Sequence, residues 1–236
     1  KLPGMSFEIV RLGGHIDLIS ALDSRFFTQK SKEYSSLAIS AISIEYPKVI
    51  VSAGGHISLI KLLKSPKHLP CTKNAGISAL SNLLKSPENK YEIVKVGVID
   101  ALLGLLDRFN TTEVVKERVI ELLADLTIDE ANRKEIEEGD IVFQIVTVLR
   151  SPKSTQEAKQ HALFTLTNLA MDEVNASAIM DVGGYVDFID VLKQSCSNLT
   201  ETPNESYSYL SSESKQVAEE RSTQALGMLS RYSENT

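Results

Sequence analysis

The polar residues that could support chemistry in this chain do not assemble into a catalytic set. His15 and His56 follow glycine pairs at equivalent places in two similar segments, and neither has a Cys, Asp or Glu partner at metal-ligand spacing. His161 stands alone, which is typical of a packing or surface residue. The sequence contains no GxxxxGK(S/T), GxSxG or HExxH motif. It therefore predicts a protein that is not an enzyme and that has no metal site and no cofactor.

One run of carboxylates could bind a partner. Glu117, Glu121 and Asp125 stand at i, i+4 and i+8, so a helix places all three on one face. Like charges at this spacing cost an isolated helix roughly a few tenths of a kcal/mol per pair. A basic partner would compensate that cost. The alternative is a solvated helix face with no partner.

The composition excludes several classes of protein. The chain has 236 residues, a formal net charge of −6 and two cysteines, Cys71 and Cys196. Two cysteines cannot form a disulfide framework, so a reducing, cytoplasmic location is favoured. The acidic balance argues against nucleic-acid binding, which needs a basic surface. The apolar run 96–106 is interrupted by Asp100 and is too short to span a bilayer, so direct membrane insertion is not expected.

An internal repeat predicts the elements that position these residues. The first glycine of each unit falls at position 13, 54, 97, 139 and 183, so the intervals are 41, 43, 42 and 44 residues. A second landmark recurs 25 or 26 residues after each of the first four glycines. Its four copies are 38–42, 79–83, 122–126 and 165–169. Two landmarks at one spacing indicate a true structural repeat.

The pattern of each unit predicts three helices. An apolar stretch ends at glycine, which closes a helix. The next stretch has apolar residues three and four positions apart, as in 57–63 and 99–106. Ser65-Pro66 and Ser151-Pro152 then separate it from a longer periodic stretch. Strand signals are absent, so the sequence predicts an all-α protein.

Three helices per ~42 residues with glycine between the first two resemble the armadillo repeat, over about residues 5–232. HEAT repeats have similar length but lack the glycine junction and the asparagine of Asn82 and Asn168, so they match less well. The resemblance implies a right-handed α-solenoid of about five repeats forming a single domain, 1–236. The predicted units are 5–47, 48–89, 90–132, 133–175 and 176–232.

The resemblance also implies a binding surface. In this family the third helix of each unit lines a concave groove, and an asparagine there binds the main chain of an extended peptide. That position is occupied here by Ala41, Asn82, Asp125, Asn168 and Met228. The predicted partner-binding groove comprises Asn74, Ser78, Asn82, Glu117, Glu121, Asp125, Phe164 and Asn168. In the alternative interpretation, Asn82 and Asn168 cap or bridge neighbouring helices.

The missing tryptophan excludes one partner class. Nuclear-import receptors of this family place tryptophan four residues before the asparagine position, where this chain has Leu37, Ser78, Glu121, Phe164 and Gln224. The chain is therefore not expected to be an importin-type receptor for nuclear-localisation peptides. Four lysines, Lys32, Lys73, Lys116 and Lys159, stand nine residues before the asparagine position. We expect them near the start of the third helix, on or near the outer rim, as a solubilising row, and a ligand site is the alternative.

The fifth unit departs from the repeat. Residues 193–215 are rich in Ser, Thr and Asn, which predicts a long mobile insertion. Insertions in solenoids often mark binding or regulation, and a loop without function is the open alternative.

These features predict a non-catalytic scaffold or adaptor whose partner is an extended or helical protein segment of basic character. The chain is similar to stand-alone armadillo adaptors, among them the armadillo-repeats-only proteins of apicomplexan parasites. That resemblance implies a lipoprotein held on the cytosolic face of the rhoptry, a secretory organelle, and linked to motor or signalling partners. Because the sequence begins at Lys1, we expect a fragment whose acylated N-terminal segment lies upstream. The alternative is the substrate-recognition part of an armadillo-containing ubiquitin ligase.

Overall fold

The computed structural model describes residues 4–106, 111–134, 136, 140–197 and 212–233. These residues form helices and no strand, which confirms the all-α prediction. The helices follow one another in five groups of three. Their bounds are α1 Met5–Arg11, α2 Gly14–Asp23, α3 Gln29–Ser43; α4 Pro47–Ser52, α5 Gly55–Lys64, α6 Pro70–Leu84; α7 Pro87–Lys95, α8 Val98–Leu106, α9 Glu113–Leu126; α10 Glu130–Lys134, α11 Asp140–Arg150, α12 Gln156–Leu169; α13 Glu173–Asp181, α14 Tyr185–Ser197, α15 Ser212–Ser233.

The groups begin slightly earlier than the predicted units. Helices α7, α10 and α13 start at Pro87, Glu130 and Glu173, three residues before the predicted boundaries at 90, 133 and 176. The turns that precede them are short, and a proline at the first helical position favours the early start of α7. Of the predicted insertion, residues 193–197 belong to α14 and residues 212–215 to α15. Its centre, 198–211, lies outside the described residues.

The glycine junctions have the geometry that the repeat requires. Between α4 and α5, Gly54 adopts a φ of +77°, a left-handed conformation that disfavours a side chain. A Cβ atom on the next residue, Gly55, would lie 2.6 Å from the Cγ2 atom of Ile50. The first glycine therefore turns the chain, and the second allows the two helices to pack closely.

The chain divides into two compact units, residues 1–119 and 120–236, and the division falls within α9. In the first unit, α3 packs against α6, and α5 packs against α2, α6 and α8. Ile39, Leu59, Ile77 and Leu80 are fully buried there. Apolar side chains of successive second and third helices thus form the core of this unit.

In the second unit, α12 packs against α11 and α15, and α14 packs against α15. Leu166, Leu169, Phe188 and Ala225 are fully buried. Within the described ranges, no helix combines the length and the apolar composition needed to cross a membrane.

Candidate partner-binding surface

The predicted groove residues all lie on third helices. Asn74, Ser78 and Asn82 belong to α6, the three acidic residues to α9, and Phe164 and Asn168 to α12. Most of these side chains are half-buried, Asp125 is exposed, and Asn168 is buried. The Oδ1 atom of Asn74 is buried and accepts no hydrogen bond from the described residues. The predicted residues therefore include both amide and carboxylate groups, and Asn168 is the least accessible of them.

The amide of Asn82 links two neighbouring third helices. Its Nδ2 atom donates hydrogen bonds to the backbone oxygen and the Oγ atom of Ser40, both at 3.0 Å. Its Oδ1 atom accepts one from the Nζ atom of Lys85 at 3.2 Å. Ser40 lies on α3, so this side chain ties α6 to the preceding repeat. These contacts fit the interpretation in which Asn82 bridges helices.

Asn168 makes the corresponding contacts with α9, the third helix that precedes its own. Its side chain is 3% exposed, and its Nδ2 atom donates to the Oγ1 atom of Thr127 at 3.1 Å and to the backbone oxygen of Ala124 at 3.5 Å. Both acceptors lie at the end of the preceding third helix. The two asparagines thus share one structural role, and their predicted contact with a peptide main chain stays a prediction.

The acidic stripe lies on a single helix. Glu117, Glu121 and Asp125 occupy successive turns of α9, the first two half-buried and the third exposed. Their spacing places the three carboxylates on one face of that helix. The side chains accessible to solvent can therefore present negative charge to a partner.

An aromatic contact joins the last two third helices. The guanidinium carbon of Arg221, on α15, lies 4.2 Å from the centroid of the Phe164 ring, on α12. Thr167 is nearby, and its Oγ1 atom donates to the backbone oxygens of Leu163 at 2.9 Å and Arg221 at 3.5 Å. A cation at this distance from a ring is within cation–π range.

An apolar stripe on α3 was not predicted from the sequence. Tyr34, Leu37 and Ile44 are 57%, 46% and 57% exposed, and Lys30 places its Nζ atom 5.8 Å from the centroid of the Tyr34 ring. With Ala41, these residues follow the spacing i, i+3, i+7, i+10, which marks one face of a helix. That spacing is the signal from which the stripe could have been found.

The lysine row lies differently from the expectation. Lys32 and Lys73 are buried, and the Nζ atom of Lys32 donates to the backbone oxygen of Leu22 at 2.5 Å. Burial also lowers the pKa of Lys159. The prediction of a solvent-exposed row is therefore wrong for Lys32 and Lys73. At Lys32 the physical reason is that a lysine in the first turn of the third helix reaches a carbonyl that the second helix leaves unpaired at its end.

The histidines after the glycine pairs are packing residues. His15 and His56 are buried at the starts of α2 and α5. Burial lowers the pKa of His56, while the Glu92 carboxylate and the Val51 backbone act in the opposite direction. In the part of the chain that the structure describes, no group of three His, Cys, Asp or Glu side chains could hold a metal ion.

Solved structures identify the fold. A designed armadillo repeat protein in complex with the peptide (KR)4 is 16% identical and matches with a TM-score of 0.71 over 95% of this chain and 85% of its own. Computationally designed armadillo repeat proteins for modular peptide recognition are 16% identical, with a TM-score of 0.72 over 94% and 85% of the two chains. An engineered protein is 26% identical, with a TM-score of 0.69 over 93% and 83%.

No protein-family model matches the sequence, and no curated protein matches it significantly. The structural matches confirm the predicted fold class, an armadillo-repeat α-solenoid.

Proposed function

With the armadillo-repeat fold as the premise, we propose that the chain is a non-catalytic scaffold that binds a protein segment of basic character along its third helices. The observation that carries this proposal is the acidic face of α9, formed by Glu117, Glu121 and Asp125. A designed protein of the same fold was solved with a peptide of alternating lysine and arginine, which supports the choice of ligand.

Both the net charge of the chain and the local charge on α9 favour a basic ligand. The chain carries a net charge of −6, which attracts cationic segments at long range. The three carboxylates on successive turns of α9 make the negative electrostatic potential strongest at that helix. They favour a lysine- or arginine-rich segment and disfavour an acidic one.

The test is a titration with (KR)4 at low salt. In the double variant Glu117→Lys/Glu121→Lys, the affinity for this peptide should fall at least about tenfold, which corresponds to about 1.4 kcal/mol. The matched control is Glu173→Lys/Asp181→Lys, which makes the same change in net charge at two exposed positions on α13, a first helix outside the proposed surface. Equal losses in the two double variants would show that only net charge matters and would reject the α9 site.

The proposal also includes a cellular role for the scaffold. We propose an adaptor that links an organelle membrane, on its cytosolic face, to motor or signalling partners. The link to the membrane is an acylated segment upstream of Lys1. Mass spectrometry of the native N-terminus tests this directly, because acyl groups on glycine or cysteine change the mass of the first peptide by known amounts. A native N-terminus that carries a U-box instead would favour the ubiquitin-ligase alternative.

A further inference from the structure

We propose that the chain contacts an anionic membrane surface through two neighbouring loops, one between α2 and α3 and the other between α5 and α6. These loops, residues 24–28 and 65–69, form the loop surface together with Lys30 in the first turn of α3. The inference goes beyond the proposed function, because it places a membrane contact in this chain itself and uses none of the carboxylates on α9. The contact is interfacial and requires no helix that crosses the bilayer.

Large apolar side chains are exposed in both loops. Phe26 and Phe27 are 84% and 52% exposed, and Leu69 is 52% exposed. Neighbouring apolar side chains of this size mark an interaction surface, unlike single exposed residues scattered over a protein. Contact with a bilayer removes them from water, and this transfer favours binding.

Hydrogen bonds hold the two loops side by side. The Nε2 atom of Gln29 donates to the backbone oxygen of Lys67 at 3.2 Å, and its Oε1 atom lies 2.9 Å from the Nδ1 atom of His68. The Oγ1 atom of Thr72 donates to the backbone oxygen of Gln29 at 3.4 Å. The two loops therefore present their exposed side chains next to each other.

Basic side chains accompany the apolar ones. Arg25, Lys30 and Lys67 are exposed, and none of them pairs with a carboxylate among the described residues. The guanidinium carbon of Arg25 lies 5.1 Å from the centroid of the Phe26 ring, so a cation and an aromatic side chain are presented together. The loop surface contains no Asp or Glu, and it is therefore basic in a chain whose net charge is −6.

Two carboxylates close to the loop surface already have partners. Asp23, the last residue of α2, accepts a hydrogen bond from the Oγ atom of Ser58 at 2.7 Å. The Asp100 carboxylate lies 3.8 Å from the Nζ atom of Lys64, the last residue of α5. Neither pair involves the basic side chains of the loop surface, which stay available to lipid headgroups.

A bilayer fits this combination better than an acidic protein segment does. At a bilayer surface, aromatic rings lie at the level of the headgroups while lysine and arginine keep their charged ends among the anionic lipids. An acidic segment would pair with the cations but would leave the rings of Phe26 and Phe27 in water. Repulsion from the rest of the acidic chain is screened beyond about 10 Å at 0.1 M salt, so the basic loops decide which face approaches the membrane.

The experiment is co-sedimentation of the chain with vesicles of phosphatidylcholine that contain about one third phosphatidylserine, an anionic lipid. The wild type should bind these vesicles and should bind pure phosphatidylcholine vesicles much more weakly. Phe26→Ala/Phe27→Ala should weaken binding to the anionic vesicles at least about tenfold, because two apolar contacts are lost. The matched control is Tyr91→Ala/Phe143→Ala, which removes two exposed aromatic side chains from α7 and α11 and should have little effect.

The cations are tested with the same vesicles. Arg25→Gln/Lys67→Gln should weaken binding about tenfold at low salt, and the loss should shrink as the salt concentration rises. Its control, Lys95→Gln/Arg118→Gln, makes the same change in net charge at exposed positions on α7 and α9. If the control loses as much affinity as the loop variant, binding reflects net charge alone and the loop surface is rejected.

A single substitution tests insertion directly. Because the chain contains no tryptophan, Phe26→Trp introduces one fluorescent probe into the loop surface. Its emission should shift to shorter wavelength when the anionic vesicles are added, as expected for an indole that enters the headgroup region. Tyr91→Trp should bind the vesicles equally well and show no shift. An unchanged spectrum of vesicle-bound Phe26→Trp overturns the insertion, whether or not the double variants fold.

The remaining outcomes separate this inference from its alternatives. Self-association of the wild type in analytical ultracentrifugation that Phe26→Ala/Phe27→Ala abolishes, without vesicle binding, would make the loop surface an interface between copies and reject the inference. Circular dichroism verifies the fold of each variant, and Phe26→Ala/Phe27→Ala should bind (KR)4 as the wild type does. A wild type that binds (KR)4 but no vesicles rejects this inference alone, and one that binds vesicles but not (KR)4 rejects the proposed ligand alone.

Discussion

At the level of single residues, the second glycine of the Gly54-Gly55 junction is required for packing. A Cβ atom at Gly55 would lie 2.6 Å from the Cγ2 atom and 3.0 Å from the backbone oxygen of Ile50. The backbone oxygen cannot rotate away, so α4 and α5 would have to separate.

We therefore expect Gly55→Ala to lower the free energy of unfolding by about 1–3 kcal/mol, the usual cost of overpacking. The control is Gly104→Ala in α8, where nothing lies within 4 Å of the added Cβ atom. That change should stabilise by about 0.4–1 kcal/mol, because alanine restricts the unfolded chain. Urea denaturation followed by circular dichroism measures both. Equal effects of the two substitutions would contradict the packing argument.

Asn82 and Asn168 differ in burial, and their contributions to stability should differ accordingly. In Asn168→Ala, the buried Oγ1 atom of Thr127 loses its donor and water cannot replace it, at a cost of about 1–3 kcal/mol, while the backbone oxygen of Ala124 keeps the hydrogen bond from Thr127. In Asn82→Ala, the site is half-buried and water can reach Ser40, so we expect a loss nearer ~0.5–1 kcal/mol. The same urea denaturation measures both, and a larger loss for Asn82→Ala would disprove this ranking.

The sequence predicted on which helices these two asparagines lie but not what they contact. The repeat placed Asn82 and Asn168 at equivalent positions, and the structure places both on third helices. Their partners, Ser40 and Thr127, lie about one repeat earlier in the chain. No local pattern around an asparagine shows whether its amide faces a neighbouring helix or a ligand.

At the level of elements, the lysine in the first turn of the third helix joins that helix to the second. The ammonium of Lys32 bonds the backbone oxygen of Leu22, one residue before the end of α2. Cations near a helix C-terminus are stabilising, and the contact satisfies a carbonyl that the helix itself leaves unpaired. The aliphatic part of the Lys32 side chain is buried between the two helices.

Lys32→Met keeps most of the buried aliphatic length and removes the charge. We expect it to lower the free energy of unfolding by about 1–3 kcal/mol, because a buried carbonyl loses a charged donor. Lys61→Met, at an exposed position in the last turn of α5, serves as the control and should change stability by less than ~0.5 kcal/mol. Thermal denaturation compares the two. If both variants melt together with the wild type, Lys32 does not cap α2.

A second periodic contact between elements was missed by the sequence analysis. Asn89, Asn132 and Asn175 recur every 43 residues in the first helices, and all three are buried. The Nδ2 atoms of Asn89 and Asn132 donate to the backbone oxygens of Leu83 and Leu126, at 3.5 and 2.8 Å, near the ends of the preceding third helices. The spacing was visible in the sequence. The structural role of these asparagines was not visible in the sequence, because the first helices are short and carry little apolar periodicity.

At the level of the whole chain, the repeat was sufficient to predict the fold. Two landmarks at one spacing predicted the helix triplets, since each unit must bury its apolar stripe against its neighbours. Contacts that occur once were not predictable in this way. The Arg133–Asp172 pair and the Phe164–Arg221 stack have no equivalents elsewhere in the described chain.

The pH dependence of stability depends on two opposing effects across the molecule. The chain has a net charge of −6 at pH 7 and a pI of about 5.4, so self-repulsion weakens as the pH falls. Burial of histidine has the opposite effect, because it lowers the free energy of unfolding as the pH falls. Burial lowers the pKa of His56 below the ordinary 6.5, and burial together with Lys32 and Lys73 lowers the pKa of His68.

Because both native pKa values lie below 6.5, the unfolded chain binds protons that the native chain does not. Unfolding then takes up protons, and the free energy of unfolding must fall as the pH drops below 6.5, until the native histidines also titrate. We expect this loss to exceed the gain from weaker self-repulsion between pH 7.5 and 5.5. The reason is that surface charges are largely screened at moderate salt and buried groups are not.

Urea denaturation at pH 7.5, 6.5 and 5.5, in low and in moderate salt, measures which of the two effects on stability is larger. The wild type should lose stability as the pH falls, more clearly in moderate salt, where repulsion is screened. The double variant His56→Gln/His68→Gln should have a flatter profile, whatever its stability at pH 7.5, since the comparison uses slopes. A wild-type stability that rises steadily down to pH 5.5 would mean that net charge, and not histidine burial, governs the response of this repeat protein to acid.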